Sequence, residues 1–373
     1  MQFFSHLRQT IKLMQLPKHE RRITFYSEGK NSWPHFKSLI EEILNSSNIP
    51  VCYITSGKDD PGLLMQHPRL NTFKTDETKF RNWIFEHIDT DVMVMTMPDL
   101  HQYQVKRSKH KVHYIYVQHS LVSLHMAYRK GAFDHFDTIF CAAPHHVKEI
   151  KAIEQLYGLP PKNVVEHGYA RLESIKNEAK NRLKKNKEPN KPLHVLLAPS
   201  WGPNATIESG VAKTMIEKLL QQGFKTTLRP HPQTIKHANN KIQEILNAYN
   251  KNPLFSYEDN VNGQESLHAS DVMVSDWSGA AFDYAYGLEK PVLFVDVPRK
   301  VNNPEYTEIP LEPFEVSQRT AIGQIISADS NDLSFIQSMD TPKSGSSPVF
   351  NLFHSAKLGA NYILNIAINL STK

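Results

Sequence analysis

Residues 271–296 read DVMVSDWSGAAFDYAYGLEKPVLFVD. An apolar run, Val272 to Val274, ends in the polar turn Ser275-Asp276-Trp277-Ser278-Gly279. Small and aromatic residues follow to Gly287, and a second apolar run closes the stretch from Val292 to Val295. The two short runs predict strands, and the span between them predicts a helix over 278–287, so the unit is strand, helix, parallel strand. The first turn of a helix has four backbone N–H groups without intrahelical partners. This turn therefore gathers hydroxyls, a carboxylate and free donors at one point. Such a point suits an anion, although Ser, Asp and Gly are also ordinary helix-capping residues.

The same alternation extends outward. After residue 192, LHVLLAPS, FKTTLRP, LFSYED, DVMVSD and PVLFVD read as strands, separated by helix-like stretches at 206–222, 235–249, 264–270 and 278–287. These runs are continuously apolar, as expected of strands covered on both faces. Between residues 21 and 170, RRITFYS, IPVCYIT, DVMVMTMP, HYIYVQHS, DTIFCAAP and NVVEHGY read as strands. PHFKSLIEEILNSS and HHVKEIKAIEQLYG show helical spacing, the latter stopping at Gly158. The expected fold class is α/β, GT-B-like: two doubly wound, Rossmann-like parallel-sheet domains facing a cleft, with a C-terminal helix returning to the first. The expected boundaries are a surface helix within 1–22, an N-terminal domain 23–175, a basic hinge 176–192 and a C-terminal domain 193–345. A linker over 341–348 then leads to a terminal helix within 350–373.

A chain of 373 residues suits two domains at about 100 to 200 residues each. With 40% hydrophobic and 22% charged residues, disordered and fibrous classes are excluded. No apolar run approaches the ~20 residues of a membrane span, and no signal-peptide pattern opens the chain, so a cytoplasmic protein is expected. The net charge is +5, but residues 176–191 hold seven Lys/Arg against two Glu and account for all of it. A nucleic-acid partner is not indicated. Cys52 and Cys141 lie inside apolar runs, as buried thiols do. Nineteen histidines show no HExxH or comparable spacing, and neither GxxxxGK[ST] nor a suitable GxGxxG occurs. No metal site is expected. Residues 1–22 space Phe3, Phe4, Leu7, Ile11 and Met14 helically among basic residues. That pattern suits either an anionic membrane surface or packing on the chain's own domain.

In doubly wound sheets, ligands bind beyond the carboxyl ends of the strands. LAPSW (197–201), RPHP (229–232) and SDWSG (275–279) therefore converge on one edge. Ser200 and Trp201 lead into a Gly202/Asn204 loop able to wrap a phosphate. Arg229 and His231 flank Pro230 and share one side of an extended segment, a pairing of permanent charge and switchable proton that suits a phosphate or pyrophosphate. In the first half, YVQHS brings Gln118, His119 and Ser120 to a strand end, where His119 is placed as a general base. HGYARLE (167–173) turns sharply at Gly168, and PRKVNNPEY (298–306) follows the last strand within reach of a nucleotide.

In order, QHS, HGYARL, LAPSW, RPHP and SDWSGAAFDYAYGLEKPVLFVD resemble the CDP-glycerol glycerophosphotransferase family, which builds teichoic acids and related capsule polymers. The resemblance runs over residues 90–310 and is strongest over 193–297. It implies a GT-B fold and a CDP-polyol donor, CDP-glycerol or CDP-ribitol, in the C-terminal domain. An acceptor hydroxyl would attack the phosphorus bearing the polyol and release CMP. No tightly bound cofactor is implied, and a Mg2+ requirement stays open.

The implied catalytic residues are His119, His231 and Asp276. His119 would be the base, in a QHS motif where the family usually has Trp-His-Gly. Arg229 and His231 would hold the pyrophosphate, and Asp276 the donor's glycerol or a histidine. Ser278 and the N–H of Gly279 would bind phosphate, with Gly279 standing where a second Ser is usual. Ser200, Trp201, Ser275 and Trp277 complete the donor side. Gln118, Ser120, Gly168, Tyr169 and Arg171 form the hinge and acceptor side, with Ala170 replacing the proline of a Gly-Tyr-Pro-Arg turn. The acceptor would be a cell-surface polymer or lipid-linked saccharide, reached by peripheral contact with the inner membrane face. The alternatives are a GT-B nucleotide-sugar glycosyltransferase, a UDP-sugar 2-epimerase-like enzyme and a non-catalytic polymer-assembly subunit.

Overall fold

The computed structural model describes residues 2–182, 191–260, 264–339 and 347–371. The first sheet contains β1 (Ile23–Ser27), β2 (Val51–Thr55), β3 (Leu70–Lys74), β4 (Val92–Met95), β5 (His113–Val117), β6 (Thr138–Cys141) and β7 (Asn163–Glu166). Its order is β3-β2-β1-β4-β5-β6-β7, with every pairing parallel. The second contains β8 (His194–Leu197), β9 (Lys225–Leu228), β10 (Phe255–Tyr257), β11 (Val272–Ser275), β12 (Val292–Asp296) and β13 (Gly323–Ser327). Its order is β10-β9-β8-β11-β12-β13, again all parallel.

The helices around the first sheet are α1 (Gln2–Gln15), α2 (Trp33–Ser46), α3 (Lys79–His87), α4 (Leu124–Ala127), α5 (Pro144–Tyr157) and α6 (Ala170–Arg182). Those of the second are α7 (Val211–Gln221), α8 (Pro232–His237), α9 (Asn239–Tyr249), α10 (Glu265–Ala269), α11 (Ala280–Leu288), α12 (Phe314–Ser317) and α13 (Arg319–Ile322). The chain's last helix is α14 (Ser355–Ser371).

Helices cover both faces of each sheet, which is why β1 and β2 are buried at every position. In α2, Phe36, Leu39, Ile40 and Ile43 form one apolar stripe against β1 and β2. Ala360, Ile363, Leu364 and Ala367 of α14 repeat that spacing and join the same cluster, so the last helix returns to the first sheet. Burying each such Leu or Ile contributes about 1.5–3 kcal/mol. The two halves meet through α6, which packs on both α2 and α11. A Cβ on Gly287 of α11 would lie 2.7 Å from Ile175 Cγ2, so only glycine lets these helices approach so closely.

Residues 176–182, expected as the start of the hinge, are the last two turns of α6. Their charges find partners on the second half: Lys176 pairs with Glu289 at 3.1 Å and Arg182 with Glu265 at 2.7 Å. Residues 183–190 of the expected hinge and 341–346 of the expected linker lie outside the described residues. The helix expected over 206–222 begins only at Val211, and that expected over 235–249 is two helices meeting at Ala238.

Helix α1 packs against β3 and α3, with Leu13 fully buried and the Phe3 ring 5.2 Å from that of Phe80. Phe3, Phe4 and Ile11 remain exposed. Both cysteines are buried and free. Among the described residues, no helix is long and apolar enough to cross a membrane, and no group of three His, Cys, Asp or Glu is placed to hold a metal ion.

Candidate active site

Strands β9, β8 and β11 are neighbours, with Leu197 in register with both Leu228 and Val274. The segments 198–201, 229–231 and 275–279 therefore leave the sheet at one edge. Asp276 ties two of them together. Its Oδ1 accepts the N–H groups of Ser200 (2.7 Å) and Trp277 (2.6 Å), and its Oδ2 accepts the N–H (3.0 Å) and hydroxyl (2.5 Å) of Thr206. These four bonds use a carboxylate's acceptor capacity, and the residue is only 1% exposed. Ser275 donates its hydroxyl to the Ala198 carbonyl at 2.8 Å. The ligand contacts expected of Asp276 and Ser275 thus give way to positioning roles, because their polar atoms hold the 198–206 loop against the turn.

His231 caps α8, and its Nδ1 accepts the Gln233 N–H at 3.1 Å. That bond leaves the proton on Nε2, which makes the outer nitrogen a donor. The ring stacks on Trp201 with centroids 6.0 Å apart, and Lys300 Nζ lies 4.2 Å from the Trp201 ring centroid. Burial, reinforced by the charges of Lys300 and His119, pushes His231 down to about 3. Burial also brings Lys300 down to about 8, against the opposing pull of Asp276, Glu208 and Glu315. Lys300 was not among the expected site residues. Its signal was position alone, a cation just beyond the C-terminal end of β12.

Arg229 is 3% exposed. Burial and neighbouring Arg171 lower its pKa to about 10, with Glu258 and Asp283 pulling the other way, so it stays cationic at neutral pH. Ser278 Oγ accepts the Ala280 N–H at 3.3 Å, and Gly279 caps α11 in ordinary helical geometry. Trp277 is placed elsewhere. Its indole N–H donates to the Val297 carbonyl at 2.9 Å, the Arg319 guanidinium lies 4.0 Å from its ring centroid, and it faces a pocket of about 500 Å³ bordered by Asp296 and Arg299.

Across the cleft, His119 follows β5. Its Nδ1 is 3.0 Å from the Tyr116 hydroxyl, and its main-chain oxygen accepts the Tyr169 hydroxyl at 3.1 Å. Burial, opposed by the Thr96 carbonyl, lowers His119 to about 4. His119 belongs to the first half and His231 to the second, near enough for their charges to interact, and Ser120, next to His119, reaches Gly279 at the start of α11.

His35, in the first turn of α2, is a second unexpected member. Its ring stacks on Tyr169 at 5.7 Å and lies 6.0 Å from His119, and its Nδ1 has no hydrogen-bond partner. Burial and the charges of His119 and Arg171 hold its pKa well below the usual value. Nothing in PHFKSL distinguishes this histidine from the others.

The remaining expected residues are dispersed. Gln118 is buried, and neither of its amide atoms has a partner. Gly168 has φ 118°, and a Cβ there would lie 2.6 Å from the Phe350 oxygen, so the turn needs glycine to pass the segment entering α14. Arg171 Nε reaches Asp283 Oδ2 at 2.8 Å and clamps α6 to α11 rather than facing a ligand. Ser120 meets Gly279 of the opposite half.

The sequence profile of the CDP-Glycerol:Poly(glycerophosphate) glycerophosphotransferase family matches residues 8–301. The chain belongs to this family. The glycerophosphotransferase match takes in every expected site residue and ends one residue beyond Lys300.

Among solved structures, the wall teichoic acid polymerase TagF aligns with a TM-score of 0.57 at 14% identity, over 99% of this chain and 98% of that one. The UDP-GlcNAc 2-epimerase of Neisseria meningitidis bound to UDP-GlcNAc aligns at 0.59 and 11%, over 92% and 99%. The S. aureus MnaA–UDP co-structure aligns at 0.59 and 11%, over 92% and 96%. At such identities these likenesses show the fold, which is GT-B. No curated protein matches the sequence.

Proposed function

We propose that this glycerophosphotransferase family member moves glycerol phosphate, or a related polyol phosphate, from a CDP-activated donor to an acceptor hydroxyl and releases CMP. One observation carries the reading. His119 of the first half lies within charge range of His231, which stacks with Trp201 beside Lys300 in the second, and the adjoining Ser120 meets Gly279 at the N-terminus of α11.

Phosphoryl transfer needs in-line positioning and compensation of charge on the transferred group. The donor diphosphate lies between Lys300, the Nε2–H of His231 and the first turn of α11 with Ser278, while Arg229 adds positive charge from its buried position. Asp276 keeps this surface in shape by pinning the Trp201 loop. His119 is neutral at physiological pH. With its Nδ1–H donated to Tyr116, its Nε2 takes the acceptor hydroxyl's proton as the new P–O bond forms, and an anionic donor beside it raises its basicity. The bond from phosphorus to the CMP oxygen breaks, and the His231 Nε2–H stabilises the departing phosphate.

The acceptor is a polymer or lipid-linked saccharide met at the cytoplasmic membrane face, where the exposed Phe4 and Ile11 of α1, with Arg8 and Lys12 on the same helix, contact anionic lipid. The donor is tested by incubating the protein with CDP-glycerol, CDP-ribitol or UDP-GlcNAc, with and without a lipid-linked saccharide, and identifying the nucleotide formed. CMP from a CDP-polyol supports the proposal. UDP release or acceptor-free isomerisation of UDP-GlcNAc contradicts it.

A further inference from the structure

We propose that the Ser120 hydroxyl is a donor-phosphate ligand delivered across the cleft, from the N-terminal half to the first turn of α11, at the place where residue 279 has no side chain. The inference rests on the CDP-polyol reading of the site. Gly279 has φ −60° and ψ −22°, a conformation open to any residue, so the backbone does not demand glycine there. Space does. A Cβ on residue 279 would fall on Ser120 Oγ, well inside contact distance, with Val122 Cγ1 at 3.5 Å and Ser120 Cβ at 3.6 Å.

The surroundings fit a phosphate at that point. Ser120 Oγ accepts the Val122 N–H at a long 3.4 Å, and its own proton has no acceptor among the described residues. Ser200 Oγ is buried without a partner, on the loop that Asp276 fastens to this turn. The N–H groups of Ser278 and Gly279 likewise have no acceptor among the described residues. The Ser120 hydroxyl thus meets unpaired backbone donors where α11 begins, with the unpartnered Ser200 hydroxyl on the adjoining loop, an arrangement that binds an anionic oxygen.

Ser120 adjoins His119, so its contact with the donor would also set the base. Donor binding and base placement become one event. A serine on the turn itself would hold the phosphate without this link.

Calorimetry with CDP-glycerol tests the inference on the full chain, using Ser120→Ala, Ser120→Gly, Gly279→Ser and the double exchange Ser120→Gly/Gly279→Ser, each checked for an unchanged melting transition. Losing one hydrogen bond to a charged group is expected to weaken binding about 10- to 100-fold in Ser120→Ala and Ser120→Gly. Gly279→Ser alone should also bind weakly, because two side chains then compete for one space. The double exchange returns the hydroxyl from the other side and should recover affinity to within about threefold of wild type. Wild-type affinity in Ser120→Ala, or a double exchange no tighter than Ser120→Gly, would overturn the inference and leave the donor reading intact. Absence of CDP-glycerol binding by the wild-type protein would overturn the donor reading and this inference with it.

Discussion

Arg171 Nε donates to Asp283 Oδ2 at 2.8 Å, joining α6 to α11 through an ion pair with both side chains nearly buried. Burial raises the Asp283 pKa, and Arg171 is the largest influence holding it down. Arg171→Ala is expected to destabilise the protein by about 3–5 kcal/mol in urea unfolding, the cost of leaving a buried charge unpaired. Arg171→Met combined with Asp283→Leu should cost much less. Equal losses in the single and double variants would contradict this account of the pair.

The Nδ1 bond from Gln233 commits His231 to donating from Nε2. His231→Ala should therefore lower turnover by about 10²- to 10³-fold, as the loss of one transition-state donor does. The lost helix cap should cost only about 1 kcal/mol of stability. A CMP-release assay beside a melting curve separates the two effects. A turnover loss no larger than the lost stability explains would count against the donor role.

Lys300 supplies the pH dependence. Its pKa is held near 8 by burial, so it is charged below that value and neutral above it. An anionic donor prefers the charged form, and kcat/KM for the donor should fall as pH rises through about 8. In kcat the limb should lie at higher pH, because a bound phosphate stabilises the ammonium. Lys300→Met should lower kcat/KM and lose the limb altogether; an unchanged alkaline limb in that variant would assign it to another group.

Helix α1 carries the membrane prediction. Its inner side is anchored by Leu13 and by Phe3 against Phe80, while Phe4 and Ile11 stay exposed on a helix that also carries Arg8 and Lys12. Replacing Phe4 and Ile11 by Ser should leave the melting temperature within a few degrees and reduce flotation with anionic vesicles. Flotation equal to wild type would remove α1 as the contact.

The central strands were legible because both of their faces are covered, which writes them as continuous apolar runs such as VLLA and VLFV. Of the edge strands, β7 and β10 were read from NVVEHGY and LFSYED, but β3 and β13 were not. β3 (LNTFK) is only half-buried, and β13 (GQIIS) is largely exposed beyond β12, so neither carries such a run.

The meeting of LAPSW, RPHP and SDWSG was equally readable, since it follows from strand order at a parallel edge. What each side chain does there was not. Asp276 looks like a ligand in SDWSG, and only the return of Thr206 shows its carboxylate to be satisfied internally. Arg171 and Asp283 lie far apart in sequence, as do Ser120 and Gly279, so both relationships required the fold. His35 reaches His119 through the shared neighbour Tyr169, which leaves no local pattern around PHFKSL.

The central claim is that His119 acts as the base in acceptor-dependent transfer from a donor held by the opposite wall. The decisive measurement compares wild type with His119→Ala for CDP-glycerol binding by calorimetry, and for CMP release with and without a lipid-linked saccharide, with phosphorus NMR of the product. Wild type should release CMP only with acceptor and form a new phosphodiester, whereas His119→Ala should bind CDP-glycerol with unchanged affinity and transfer about 10²- to 10⁴-fold more slowly. Loss of donor binding in His119→Ala, or transfer at the wild-type rate, would contradict the account.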